Sequence, residues 1–272
     1  MGQDDTHWCE LGFAEQATVF KGPTQNARVL SESWVAAQMF CPNCGTDRLR
    51  ALPNNSPVAD FDCATCAEEF EVKAKKGRLS RKVVDGAYGA MTARLAARNN
   101  PNLVVMAYDG GPSGVGGRVT DLILVPRHFF VQSIIEARKP LGPLARRAGW
   151  QGCNILLGDV PEAGRISLIR AGQPVARAEV RAAWTATLFL RDEGLKARGW
   201  LLAVMGAVEA ATDLGGRPEF TLAEVYAQEA RLAALYPGNN NVRPKIRQQL
   251  QVLRDQGWLA FGDRRGTYRR TT

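Results

Sequence analysis

Hydrophobic and polar positions along the chain change period several times, and each change marks an element. Residues 27–39 (ARVLSESWVAAQM) carry apolar positions at helical spacing, with Ser31 or Ser33 as candidate caps. Val58–Asp62 and Glu69–Lys75 predict two strands with six residues between them. The second alternates strictly: Glu69, Glu71, Lys73 and Lys75 share one face, and Phe70, Val72 and Ala74 share the other. The spacing predicts a helix over 85–98, capped at Asp85 and ended by Asn99-Asn100-Pro101. Leu103–Tyr108 and Val119–Val125 are apolar, β-branched runs, the pattern of central strands. Arg165–Arg170 predicts another strand. Helices alternating with strands up to about residue 180 indicate an α/β (α+β) domain with a mixed sheet.

From Trp184 the texture becomes helical, which divides the chain into residues 1–183 and 184–272. Leu195–Ala211 predicts one helix. Thr221–Leu235 predicts a second, opened by the capping box Thr221-Leu222-Ala223-Glu224. Pro244–Gln256 predicts a third, with Ile246, Leu250 and Leu253 at helical spacing. Two short strands, Trp258–Phe261 and Thr267–Arg270, flank Gly-Asp-Arg-Arg-Gly. Three helices and a basic hairpin make a winged helix, whose last helix would enter a DNA major groove. The glycine-rich stretch at 110–117 reads as a loop rather than a phosphate cradle. No GK[ST] follows it and no helix opens from it.

Charge narrows the choice of partner. The 35 Lys+Arg exceed the 27 Asp+Glu, giving a net +8 and a pI near 9.4, which favours a polyanion. Residues 243–272 hold eight basic side chains against two acidic ones, a net of +6. A second segment, Arg138–Trp150, holds Arg138, Lys139, Arg146 and Arg147 with no acid. The polar N-terminus does not read as a signal peptide. The longest uncharged apolar run, Trp200–Val208, falls far short of the roughly 20 residues of a spanning helix. A cytoplasmic protein with no membrane role is expected. There, six cysteines point to metal or isolated thiols before disulfides.

Four of those cysteines carry a pattern. Cys41, Cys44, Cys63 and Cys66 form two C-x2-C pairs with 18 residues between them, the spacing of a zinc site. Four thiolates leave no open coordination position, so the expected Zn2+ is structural. Cys9 and Cys153 lie outside the pattern. Asp60, followed eleven residues later by Glu71-Val72-Lys73, has the form of a PD-(D/E)xK nuclease centre. Phosphodiester hydrolysis needs a divalent ion held by hard oxygens. Asp60, Glu71 and the carbonyl of Val72 can supply these to Mg2+, while Lys73 orients a water or steadies developing charge. An alternating Glu/Lys strand is also what an ordinary solvated sheet face looks like. The zinc knuckle at the tip of the same hairpin favours the nuclease reading.

The basic segments admit two readings each. Arg146, Arg147 and Trp150 suit phosphate contacts with an aromatic surface, or a solvated loop whose tryptophan packs in the core. Arg264 and Arg265 are similarly open. Lys245, Arg247, Gln248 and Gln249 suit groove contacts from the last helix, because glutamine pairs bidentately with adenine. His7 and His128 have no partner recognisable in the sequence.

With these residues assembled, the chain resembles the DpnI family of methyl-directed type II restriction endonucleases. The resemblance is carried by CPNCG, PVADFDCATCAEEFEVKAKKG, DGAYGAM, RKPLGPLARRAGWQGCNI, LFLRDEGLKARGW, EFTLAEVY and KIRQQLQVLRDQG, in order from about Asn26 to Arg270. It implies a PD-(D/E)xK domain with a zinc element and a C-terminal winged helix. It implies Mg2+-dependent, blunt cleavage of double-stranded DNA at 5′-GATC-3′ carrying N6-methyladenine, with both domains reading the site. Asp60, Glu71 and Lys73 align with the catalytic residues, Val72 with the carbonyl ligand, and Trp150 with the tryptophan that senses the adenine methyls. The longer N-terminus and the insertion-like 110–117 depart from the family pattern. A non-cleaving methyl-DNA regulator and a nuclease with another target are the competing readings, and the intact Asp60, Glu71 and Lys73 favour cleavage. Without an extended dimerisation helix, a monomer is expected.

Overall fold

A computed structural model describes residues 5–13, 23–53, 56, 59–110, 117–215 and 218–271. Pro57, Val58 and most of the 110–117 loop fall outside them. The first part of the chain runs β1 (Gly12–Phe13), α1 (Pro23–Gln38), β2 (Arg50–Ala51), β3 (Phe61–Asp62) and β4 (Glu69–Lys76). It continues through β5 (Val83–Ala87), α2 (Tyr88–Ala97), β6 (Asn102–Gly110), β7 (Gly117–Val125), β8 (Ile135–Ala137) and β9 (Gly152–Ile155). It closes with β10 (Ile166–Arg170), β11 (Gln173–Pro174) and α3 (Arg177–Thr185). Among the described residues, one mixed sheet is ordered β11-β10-β7-β6-β4-β3-β2, with β1 on β7. Its parallel pair is β4–β6, registered Glu71↔Leu103 and Lys73↔Val105; β6–β7 is antiparallel. A small sheet, β5-β9-β8, stands beside it.

The strict alternation in β4 decides which face holds which chemistry. Phe70 and Val72 point into a core shared with Trp34 and Val35 of α1 and Val180 and Trp184 of α3. Glu71 and Lys73 project from the opposite face, where Leu103 and Val105 pack with Met91 and Leu95 of α2. That second core is continuous with the C-terminal part, so the sheet is covered on both sides. Trp184, where the sequence turns helical, packs in the first core and donates from Nε1 to Asn43 Oδ1 at 2.9 Å.

The C-terminal part is α4 (Leu195–Gly215), β12 (Glu219–Thr221), α5 (Leu222–Tyr226), α6 (Glu229–Leu235), α7 (Val242–Asp255), β13 (Leu259–Phe261) and β14 (Thr267–Arg270). The capping box is present: Thr221 Oγ1 accepts from the Glu224 amide, and Glu224 Oε2 accepts from the Thr221 amide. The single helix expected over 221–235 is broken at Ala227–Gln228 into α5 and α6. The strand β12 pairs with the β13–β14 hairpin, completing a winged helix. No helix among the described residues is long and apolar enough to cross a membrane.

Candidate active site and metal centre

The two C-x2-C turns meet at the tip of the β3–β4 hairpin, where Cys63 and Cys66 lie in the turn between the strands. The four sulfurs of Cys41, Cys44, Cys63 and Cys66 lie within 4.8 Å of one another, with 3.5 Å between Cys41 and Cys66 and between Cys44 and Cys63. A tetrahedral ion with Zn–S bonds near 2.3 Å needs sulfurs roughly 3.8 Å apart, so these four sulfurs are close enough for one zinc ion to bind them all after small shifts. Both turns are built alike. Gly45 and Ala67, each following the second cysteine, adopt φ +83° and +57°, and their amides donate to the carbonyls of Cys41 and Cys63 at 2.8 Å. Burial opposes ionisation of the Cys44 thiol, but the Thr46 hydroxyl and amide outweigh it and bring the thiol to about 6. Arg177 of α3 donates to the Gly45 carbonyl, tying the knuckle to the domain core. Cys153 is buried in the second core and Cys9 is half-buried, both apart from the cluster.

The same hairpin positions the carboxylates. Asp60, just before β3, donates its amide to the Phe70 carbonyl at 2.9 Å, and its Oδ2 accepts from the Val72 amide at 2.8 Å. A strand residue directs its N–H and C=O to the same edge. The Val72 carbonyl therefore opens beside the Asp60 carboxylate, where β3 no longer pairs with β4. Arg28 of α1 reaches Asp60 Oδ1 at 3.4 Å with its exposed guanidinium. Arg28 thus already places a cation on this carboxylate, and carboxylate and carbonyl oxygens are the donors a hard divalent ion takes.

On the inner face of β4, Lys73 Nζ lies 2.6 Å from Glu71 Oε1 and 3.0 Å from Asp85 Oδ1. Burial pushes the Glu71 carboxyl above its ordinary range; Lys73 opposes that and Asp85 adds to it. For Lys73, burial works to strip the proton. The Glu71 and Asp85 carboxylates outweigh burial and hold the ammonium above the ordinary lysine value.

Asp85 is the residue that sequence reasoning placed elsewhere. It does not cap a helix: it belongs to β5, opposite Cys153, and α2 begins at Tyr88 without a side-chain cap. A strand residue presents its side chain squarely to the neighbouring layer, which carries the carboxylate to Lys73. Its side chain is 2% exposed and its Oδ2 has no partner. Arg28 was also missed, because helix α1 carries no motif that points to it.

The expected DNA contacts divide. Arg146 and Arg147 are exposed on the loop between β8 and β9. Trp150 ends that loop half-buried, outside both cores, with the Arg147 guanidinium 4.7 Å from its ring centroid. Its ring presses on Gly152 so closely that a Cβ there would come within 2.9 Å. Leu144, on the same loop, is wholly exposed. In α7, Arg247 and Gln248 are exposed and Lys245 is half-exposed, donating to Gln248 Oε1 at 2.8 Å. Gln249 is corrected: it is 4% exposed, on the buried face of α7 next to Leu250, so its amide does not reach a groove. Arg264 and Arg265 stand exposed in the β13–β14 turn.

Two family models match the chain. One, described as the DpnI (Dam-replacing) family, matches residues 10–193, and one described as the Dam-replacing HTH domain matches residues 196–270.

Proposed function

The chain belongs to the DpnI (Dam-replacing) family of methyl-directed restriction endonucleases, and from that premise we propose a Mg2+-dependent enzyme that cuts double-stranded DNA at 5′-GATC-3′ carrying N6-methyladenine. The cut falls between A and T, leaving blunt ends, and both domains read the methylated site. In class it is a type II site-specific deoxyribonuclease of PD-(D/E)xK type, working as a cytoplasmic monomer. The observation that carries the catalytic reading is the placement of Asp60 against the Val72 amide, with Glu71 and Lys73 paired on the same strand.

In this reading Asp60, Glu71 and the Val72 carbonyl hold Mg2+, and the ion supplies Lewis-acid stabilisation of the scissile phosphate and an acidified water. Lys73 donates to the attacking water or to the phosphate oxygen on which charge develops. Asp85 holds the lysine ammonium charged and aimed. Cys41, Cys44, Cys63 and Cys66 bind Zn2+ and fix the hairpin. Arg146, Arg147, Lys245, Arg247, Gln248, Arg264 and Arg265 contact DNA, and the Trp150 ring packs against the adenine methyls.

Plasmid from hosts with and without adenine methylation at GATC, incubated with the protein and Mg2+, tests this. Cutting of methylated plasmid alone is expected. Cutting of the unmethylated plasmid, or of neither, overturns the substrate assignment. Asp60→Ala should abolish cutting while duplex binding persists.

A further inference from the structure

Four arginines converge where the nuclease domain meets the start of α4. Arg98 follows α2, Arg127 follows β7, and Arg191 and Arg198 bracket the connection into the winged helix. Together with Asn100 and His128 they line a cavity of about 180 Å³. That is roughly the volume of six liquid waters, room for a tetrahedral oxyanion with part of its hydration.

The charge inside is not balanced. Among the described residues, Glu68 is the one carboxylate paired with any of these arginines, through Oε1 to Arg191 at 2.8 Å and Arg127 at 3.5 Å. Its Oε2 is taken by Asn102 Nδ2. Four guanidiniums against one carboxylate leave a net +3. Arg98 and Arg198 meet main-chain carbonyls instead: Arg98 bonds Glu193 at 3.0 Å, and Arg198 reaches Phe130 at 3.3 Å and Glu193 at 3.5 Å. Arg198 is 5% exposed, and its Nε has no partner. Arg191 Nε is likewise buried without one. A buried guanidinium with an unmet donor is costly unless an acceptor arrives.

We propose that this cavity binds a phosphate-type oxyanion that bridges the nuclease domain to the winged helix. The planar guanidinium forks of Arg98, Arg127, Arg191 and Arg198 lining one cavity suit tetrahedral oxygens. The surrounding field agrees. Burial, with Arg98 alongside, pulls Arg198 below the ordinary arginine value. Burial, with Arg191, Arg198 and Arg127, drives His128 down to about 3. The phosphate group can come from free inorganic phosphate or from the backbone of bound DNA.

Thermal unfolding in inorganic phosphate, with chloride adjusted to constant ionic strength, tests the site. The intact protein should show a saturable rise of about 2–4 °C. Arg198→Gln and the exposed Arg98→Gln should each remove most of it; if Arg198→Gln does not fold, Arg98→Gln carries the test. No saturable rise, or an equal rise in the folded variants, overturns the proposal. Repeating the titration with a saturating, uncleaved methylated duplex without Mg2+ separates the two sources. A shift abolished by the duplex, together with weaker duplex binding by Arg98→Gln, assigns the site to a DNA phosphate. A shift that persists assigns it to a free oxyanion. Because no cleavage is read, failure here is distinct from failure of the nuclease reading.

Discussion

Lys73 Nζ lies 3.0 Å from Asp85 Oδ1, a carboxylate delivered by a different sheet from the strand that carries the lysine. This contact joins the small β5-β9-β8 sheet to β4, and in the proposed mechanism it makes Asp85 a positioning residue for Lys73. Asp85→Asn should lower cleavage roughly 10–100-fold, the size typical of a partner that orients a site group and below the roughly 10²–10⁴-fold of a proton donor or charge stabiliser itself. Duplex affinity should change little. Glu71 and Asp85 together raise the Lys73 pKa. Removing one of them lowers it, so the alkaline limb of the cleavage–pH profile should move to lower pH. A variant of unchanged rate and profile would remove Asp85 from the site.

The zinc cluster gives a second expectation. Cys63→Ser leaves three thiolates where the geometry suits four. The purified variant should lose its metal and unfold several degrees lower, because the ion's binding energy is also folding energy. Cleavage should fall in proportion to the folded fraction, since the cysteines hold the hairpin and touch no reacting atom. Full zinc occupancy in the variant would contradict this assignment.

Much of this was legible because β4 states its own geometry: EFEVKAK puts Glu69, Glu71, Lys73 and Lys75 on one face without any three-dimensional knowledge. The C-x2-C pairs and the Thr221 capping box were equally readable, since both depend on residues close in sequence. What escaped were relationships across long separations. Arg98, Arg127, Arg191 and Arg198 span a hundred residues and meet only through the fold. Asp85 fits a helix cap as well as a strand, and only its pairing with Cys153 decides between them. Gln249 was misplaced because a polar residue in an amphipathic helix is read as exposed, whereas this one lies beside Leu250 on the packed face.

His128 sets a pH dependence of stability. Its folded-state pKa is pushed to about 3, first by burial and then by Arg191, Arg198 and Arg127. An unfolded histidine titrates near 6.5. A depressed pKa contributes stability above the unfolded value, and that stability drains away as pH falls from about 6.5 toward 3. The loss across this window should be on the order of 3–5 kcal/mol. Denaturant unfolding at stepped pH should show it, and His128→Gln should flatten that part of the curve. Its Nε2 partner, Thr187 Oγ1, can also bond a glutamine. Equal slopes for the two proteins would refute the assignment.

Trp150 is where methyl recognition should be most sensitive. The ring is half-buried and belongs to neither core, so its removal leaves folding largely intact. Arg147 lies over one side at 4.7 Å, and Gly152, with no Cβ, lets the ring seat against the backbone. This rigid platform can bury a methyl group at roughly 0.8 kcal/mol each. Two methyls in a symmetric site then amount to about a 10-fold preference from this surface. Trp150→Ala should therefore lower the ratio of cleavage rates on methylated and unmethylated duplex about 10-fold, chiefly through slower cutting of the methylated one. Trp150→Phe should retain part of the preference, because a smaller aromatic face still covers a methyl. Arg147→Ala removes the cation over the ring and a phosphate contact together, so it should weaken both duplexes alike and leave the ratio near its original value. If Trp150→Ala leaves the ratio unchanged while thermal stability falls, the tryptophan supports the loop and the methyls are read elsewhere.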